Sequence, residues 1–359
     1  MKPIRIVLLL VLFTCMASPL TAQQTSTDTT WRQRAREKSA AALPQYPEHL
    51  TVAQDGSGDY KTIQEAVNAV RDLSQVQVFI HIKAGVYHEK LVIPSWKTKV
   101  SLIGESAAST TITNSDYSGK DYPGGKDPFG RSKYSTYTSY TVLVQGNDFT
   151  ATGLTIVNAS GRVGQAVALH VEADRVVIDH CRLLGNQDTL YTATETSRQY
   201  YKDCFIEGTT DFIFGEATAV FEHCTIRNLT NSYITAASTT PRQKFGYVFL
   251  NCSLVADTGA RRCFMGRPWR PYAKTVFLST DMGNHIVPEG WNNWNNAENE
   301  KTVFYAEYNS KGPGAGSGNR VRWSKQLTAR EAKAYTPETI FAGKDGWMPA
   351  TRLPPKSGE

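Results

Sequence analysis

Short stretches of alternating apolar and polar residues recur along this chain, each followed by a turn of small or polar side chains. The clearest copies are DFTATGLTI, VVIDHCRLL, QYYKDCFIE, AVFEHCTIR, YVFLNCSLV and TVFLSTDMG. Aligning them on Gly153, Cys181, Cys204, Cys224, Cys252 and Thr280 places Phe149, Val177, Tyr200, Val220, Val248 and Val276 four positions earlier in every copy. The intervals are 28, 23, 20, 28 and 28 residues. Units of that size, each carrying one short β-branched or aromatic strand, predict a solenoid in which every coil covers its neighbour. A helical repeat is disfavoured because the 3.6-residue period is missing. A sandwich is disfavoured because evenly spaced hairpins with two-residue turns are missing. The pattern therefore predicts an all-β fold, a single-stranded right-handed parallel β-helix forming one domain over residues 46–355.

A solenoid exposes apolar surface at both ends, so caps are expected. Thr62 to Val70 (TIQEAVNAV) carries a helical apolar stripe, with Thr62 as N-cap and Glu65 three residues on. Leu327 to Tyr335 (LTAREAKAY) predicts a second short helix near the other end. The glycine-rich stretch Lys311 to Arg320 predicts a flexible surface loop, without the surroundings of a phosphate-binding loop.

The first 22 residues change the picture of where the chain works. Lys2 and Arg5 precede an apolar run from Ile6 to Phe13 and then small residues up to Ala22, the layout of a secretory signal peptide. The run is too short to span a bilayer, and no other stretch approaches the needed length. Cleavage is expected after Ala22; Phe13 and Thr14 are bulky for lipid attachment at Cys15. Residues 23–45 are polar and read as a linker. The mature protein is thus expected to be exported, with no membrane span. Removing Lys2 and Arg5 takes the net charge from +6 to +4. That mild excess suits an acidic polymer as partner, and no basic stripe suggests nucleic acid. Five cysteines remain after cleavage, so at least one thiol stays free. No CxxC pattern points to zinc. Cys204 and Cys224, in the same phase of adjacent coils, are the pair expected to join if any disulfide forms.

The repeat also sets two acids in one phase. Asp188 and Asp211 each lie seven residues after a cysteine, Cys181 and Cys204. Neighbouring strands are about 4.8 Å apart, so the two carboxyls are expected to stack on one face. Like charges that close cannot both ionise freely, and one acid then tends to keep a proton. Gln187 adjoins Asp188, and Gln165 lies one coil earlier; their amide N–H groups suit a developing oxyanion. Arg267, in GRPWRPY, can hold a carboxylate through a two-pronged contact. Trp269 and Tyr191 are candidate platforms for a sugar ring. Singly, such residues more often cap a turn or pack; their clustering on one predicted face is what points to chemistry.

Together GQAVAL (Gly164 to Leu169), QDTLY (Gln187 to Tyr191), GTTDFIFG (Gly208 to Gly215) and GRPW (Gly266 to Trp269) resemble carbohydrate esterases of the pectin methylesterase family. VAQDGSGDYKTIQEAV and IKAGVYHEKLVI resemble that family's first coils, and the resemblance covers about residues 50–350. It implies hydrolysis of galacturonate methyl esters in pectin, with methyl-esterified pectin as the partner of a monomeric enzyme. It also implies Asp211 as nucleophile and Asp188 as acid and then base. Gln165 and Gln187 would stabilise the oxyanion, and Arg267 would orient the nucleophile. Thr136 and Trp269 would contact substrate, with no metal and no organic cofactor. Tyr191, Tyr233 and Phe212 complete the candidate substrate contacts. The family often has a glutamine where ITAAS carries Ala237, and Tyr233 is the candidate to fill that wall. Asn231 shares the seven-after-cysteine phase and either extends the polar ladder or is structural. The polar loop Tyr117 to Tyr137 is expected to shape a groove.

Other classes remain open at the level of residues. A β-helical pectate lyase needs calcium held by several carboxylates, and this site pairs two acids with glutamines instead. A galacturonan hydrolase would use two carboxylates and shorten the chain. A carbohydrate-binding solenoid without activity would need no nucleophile beside an acid.

Overall fold

The computed structural model describes residues 46–349. The expected signal peptide, linker and Cys15 lie outside the described residues, as does the end of the predicted domain.

Among the described residues the strands form three parallel sheets of eleven, eight and seven strands. One coil shows the logic. Val176–Asp179 lies in the first sheet, Arg182–Leu184 in the second and Leu190–Thr192 in the third, before the chain re-enters the first at Arg198–Lys202. Each strand pairs with its counterpart one coil away. The result is the expected parallel β-helix.

The register follows the predicted ladder with one slip. Arg182 pairs with Phe205, Phe205 with Thr225, Thr225 with Ser253 and Ser253 with Asp281. The preceding residues, Cys181, Cys204, Cys224, Cys252 and Thr280, therefore stack as expected. In the first copy Arg182 pairs with Thr155, so Leu154 rather than Gly153 joins that stack. Gly153 (φ 64°) instead fills the left-handed turn position taken by His180, Asp203, His223, Asn251 and Ser279 in later coils, at φ 48–54°. A glycine adopts that conformation without strain, and the small residue mimics the small cysteine in a one-dimensional alignment.

The slip separates two faces. Phe149 belongs to the inner core, whereas Val177, Tyr200, Val220, Val248 and Val276 point outward. That outer stripe is covered by Leu327, Ala332, Ile340, Phe341 and Trp347 of the C-terminal segment. Inside, Tyr201, Phe221, Phe249 and Phe277 stack with centroids 4.8, 4.5 and 4.2 Å apart. Each such buried ring contributes about 2–3 kcal/mol relative to exposure.

All five cysteines of the described region are free and buried. Cys204 and Cys224, the pair expected to join if any disulfide forms, are both thiols, and each is directed at a backbone carbonyl. Cys204 donates to Ile178 O at 3.3 Å and Cys224 to Tyr201 O at 3.4 Å.

Helix α1 (Ile63–Ala69) closes the N-terminal end and buries Ile63, Ala66 and Val67. Its capping box is formed: Glu65 N donates to Thr62 Oγ1 at 3.2 Å and Thr62 N to Glu65 Oε2 at 3.1 Å. At the other end the expected helix is shorter than predicted. Helix α2 spans Ala329–Ala332 behind a Thr328 cap, and α3 spans Pro337–Ile340. Ala334 N and Tyr335 N close tight turns onto Glu331 O and Ala332 O, which end α2 before Pro337. The first part of the glycine-rich segment, Lys311 to Gly314, is pinned, whereas Gly316 and Gly318 face open space. Gly314 N donates to Met282 O at 2.9 Å, and a Cβ on Gly314 would lie 2.2 Å from Gly283 O.

Candidate active site

Both acids sit in turns between the second and third sheets, just before Leu190–Thr192 and Ile213–Gly215. Leu190 pairs with Ile213, so Asp188 and Asp211, two residues earlier in each strand, stand in register as predicted. Both take left-handed backbone, φ 66° and 49°, a conformation that aspartate tolerates better than most residues. Asp188 N donates to Thr210 O at 3.1 Å and Asp211 N to Tyr233 O at 2.9 Å, which fixes the two turns. Gly208 lets the second turn close, because a Cβ there would lie 2.2 Å from Phe212 Cβ and 2.6 Å from Asn186 O.

Arg267 reaches Asp211 from the strand Phe264–Pro268. Its Nε donates to Oδ1 at 2.9 Å and its Nη2 to Oδ2 at 2.6 Å. The guanidinium is sandwiched between the rings of Tyr233 and Trp294, 4.0 and 3.7 Å from their centroids. Gln165 is held from the other side. Thr136 Oγ1 donates to its Oε1 at 2.8 Å, and the Gln165 amide hydrogen-bonds to Asp188. The Gln187 side chain has no hydrogen-bond partner among the described residues and borders the cleft.

These surroundings divide the two acids. Asp188 and Asp211 are only 4 % and 5 % exposed, so burial raises both carboxyls above the ordinary range. For Asp211 the paired hydrogen bonds and charge of Arg267 oppose that rise. Asp188 has no such direct cation. Burial first, and then the charge of Asp211, push it up to about 8, against the opposing bond from Gln165 and the more distant Arg267. The surroundings thus favour the proton on Asp188 and the charge on Asp211, which Arg267 clamps.

The acids open into a cleft of about 170 Å³ lined by Thr136, Tyr137, Gln165, Gln187, Phe214, Arg267, Trp269 and Trp294. A larger depression, about 680 Å³, is lined by the Glu195–Arg242 ion pair, Glu216 and Arg270, and contains neither of the two acids nor Arg267. A smaller one, about 240 Å³, borders Gln187 and Arg162. The cleft and the 240 Å³ depression meet at Gln187, which extends the opening beside the acids, a shape suited to a polymer.

A family model for pectinesterases matches residues 49–344. The chain belongs to the pectinesterase family. Among its relatives, Putative pectinesterase 11 of Arabidopsis thaliana is 39 % identical over 306 residues, covering 84 % of this chain and 81 % of that protein. Probable pectinesterase/pectinesterase inhibitor 23 of the same plant is 36 % identical over 321 residues. That match covers 85 % of this chain, which spans only 54 % of the relative's length. Among solved structures, pectin methylesterase from carrot superposes with a TM-score of 0.76 at 36 % identity, covering 85 % of this chain and 96 % of that one.

Within this pectinesterase framework, Asp188, Asp211, Gln187, Gln165, Arg267, Thr136 and Trp269 gather at the cleft. Three other candidates do not line it. Phe212 is fully buried in the inner core, because strand alternation turns it away from its neighbour Asp211. Tyr191, the register partner of Phe214 one coil away on the same face, stacks beside it at 4.5 Å and is flanked by Tyr137 at 5.4 Å, so it packs next to the cleft. Tyr233 spends its ring on Arg267 and on Phe264, 5.3 Å away, and does not fill the wall near Ala237. Ala237 is itself fully buried, and its carbonyl accepts from Trp269 N at 2.9 Å.

Asn231 also leaves the ladder. Asp211 lies two residues before Ile213, which pairs with Thr235, so the residue in phase with Asp211 is Tyr233. Two extra turn residues carry Asn231 to the surface, where its Oδ1 accepts from Arg261 N and Arg262 N at 2.7 and 2.9 Å. The loop 117–137 folds back on itself through an Asp121–Lys133 bridge and delivers Thr136 and Tyr137 to the cleft, as its polarity suggested. Tyr137, Phe214 and Trp294 were not predicted. Phe214 alternates with Phe212 in FIF and could have been read from strand parity; Trp294 lies outside the repeat and carries no comparable signal.

Proposed function

We propose that this pectinesterase-family protein hydrolyses methyl esters of galacturonate units in pectin through an acyl-enzyme on Asp211. The observation that carries the reading is the asymmetric acid pair: one carboxylate clamped by Arg267, one carboxyl held protonated by burial. In the first half-reaction an oxygen of Asp211 attacks the ester carbonyl carbon. The carbonyl oxygen becomes an oxyanion that accepts from the free amide of Gln187. Collapse breaks the bond to the methoxy oxygen, which takes the Asp188 proton and leaves as methanol. In the second half, Asp188, now a carboxylate, takes a proton from water. The water oxygen attacks the anhydride carbonyl, and Asp211 departs as a carboxylate.

Gln165, tied by Thr136, keeps the Asp188 carboxyl aimed at the leaving group. Trp269 and Tyr137 offer ring faces beside the acids for the sugar. The same reading has residues 1–22 direct export and the mature chain act as a monomer on pectin outside the cell.

The test is methanol release from highly methylated pectin, with and without a chelator, for the wild type and Asp211→Ala. The expected result is chelator-independent release by the wild type, and loss of release with pectin binding retained in the variant. A folded Asp211→Ala protein that still releases methanol would refute the nucleophile. Calcium-dependent unsaturated product would favour lyase chemistry, and chain shortening without methanol a hydrolase.

A further inference from the structure

A second ladder of chemistry-bearing side chains runs along a different edge of the solenoid. Asp179 pairs with Lys202 and Lys202 with Glu222, so the next residues, His180, Asp203 and His223, occupy one position in three successive coils. All three take the left-handed turn between the first and second sheets, at φ 48°, 49° and 54°. Coils about 4.8 Å apart then set an imidazole, a carboxylate and a second imidazole one above another on the surface. Asp179, the last residue of its strand, turns its carboxylate into the same place. One ligand atom from each of Asp179, His180 and Asp203 lies within 4.8 Å of the others.

Asp179 is the residue that asks for a ligand. It is only 9 % exposed, and its Oδ1 has no hydrogen-bond partner among the described residues. His180 Nδ1 lies 2.9 Å from that oxygen, an ion pair only when the imidazole is protonated, and without hydrogen-bond geometry, so beside a neutral imidazole the oxygen has no cation. A buried carboxylate oxygen without a donor is costly, and a cation satisfies it. On the open side, His180 Nε2 is 3.9 Å from Asp203 Oδ2, and His223 Nδ1 is 4.0 Å from Asp203 Oδ1. His180 and Asp203 side chains are partly exposed and can close these gaps by small rotations, with water completing the shell.

We propose that Asp179, His180 and Asp203 form a binding site for a divalent transition-metal ion, zinc by the mix of imidazole and carboxylate, with His223 orienting Asp203. The ion would tie adjacent coils together at a turn remote from the chemistry, since the catalytic acids lie between the second and third sheets. The role is structural, and methanol release is a separate readout from it.

The test is calorimetric titration of zinc into the chelator-treated full chain, with thermal unfolding followed in parallel. Saturable binding of one zinc per chain at about 1–100 μM is expected, with a midpoint of unfolding that rises with zinc concentration. His180→Asn and Asp203→Asn keep a residue type that tolerates the left-handed turn. Each should weaken zinc binding at least about tenfold while methanol release stays at the wild-type rate. Saturation absent below about 1 mM, or binding unchanged in both variants, overturns the site.

Discussion

Among the described residues Arg320 and Arg267, like Arg175 on Asp148, each grip a buried carboxylate with the same Nε and Nη2 fork, and the Arg267 pair is the one that faces the cleft of the two acids. Arg320 donates from Nε to Glu307 Oε1 at 2.7 Å and from Nη2 to Oε2 at 3.1 Å. Its remaining N–H groups are taken by the carbonyls of Val287, Pro288 and Gly314, at 3.1, 3.1 and 2.7 Å. Both of those side chains are 3 % exposed. Arg267 grips Asp211 with the same fork, but aromatic rings cover its faces in place of carbonyls, and its side chain is 20 % exposed. A second acid, Asp188, stands beside it. The closed pair satisfies every donor and staples the last coils. The open pair favours the charged form of its carboxylate against the effect of burial, while leaving it a free side towards solvent and substrate.

The largest expected effect separates the pairs outright. Asp211→Asn should lower methanol release by more than about 10⁴-fold, since the attacking group is gone, with the unfolding midpoint in urea shifted little. The small shift follows from the rings that still cover Arg267 and from its partial exposure. Glu307→Gln should do the reverse. It strands a buried guanidinium and should cost about 3–5 kcal/mol of stability, while the folded fraction keeps its specific activity. If Glu307→Gln impaired turnover at full stability, the division between staple and machinery would be wrong.

A next smaller effect tests the asymmetry within the open pair. Asp188→Asn should slow methanol release by about 10²–10⁴-fold, the usual contribution of a positioned acid and base. Its effect on stability has the opposite sign and depends on pH. Asp188 titrates near 8 in the folded protein, above its ordinary carboxylate value. Between those values the folded chain holds a proton that the unfolded chain has lost, so this group's contribution weakens as pH rises. The variant should therefore match the wild type near pH 4 and exceed it by roughly 2–5 kcal/mol near pH 8. Parallel urea curves at the two pH values check this. A variant less stable than wild type at pH 8 would mean that Asp188 is ionised and favourably paired.

The acid pair was legible in sequence because coil register converts a fixed offset from Cys181 and Cys204 into a shared face. The same arithmetic failed at Asn231, where two extra turn residues broke the phase, and at Gly153, where a small residue imitated a small one. Phe212 also figures among the candidate substrate contacts, although strand parity buries it and puts Phe214 on the cleft side. The outward stripe from Val177 to Val276 was visible as a repeat but not as a surface, since its cover comes from Leu327 to Trp347, far away in sequence. Arg267 could be nominated from GRPW, but not the Tyr233 and Trp294 rings that hold it flat. Trp294 comes from a non-repeating Asn-rich turn, so no periodicity points to it.

The smallest effects concern the two amides, which sequence treated as equivalent and the structure does not. Gln187 is uncommitted, so Gln187→Ala should lower kcat by about 10²–10³-fold through loss of an oxyanion donor, with little change in pH profile. Gln165 is committed twice, to Thr136 and to Asp188. Its bond to Asp188 opposes the upward shift of that carboxyl. Thr136→Val removes only the tether on Gln165, a hydrogen bond of about 1 kcal/mol, and should cost about fivefold in kcat. Because a loosened Gln165 bonds Asp188 less well, the alkaline limb of the kcat profile should also move to higher pH. A purely steric role for Thr136 would change KM and leave that limb in place, so the pH profile of this one variant distinguishes positioning of the proton from lining of the groove.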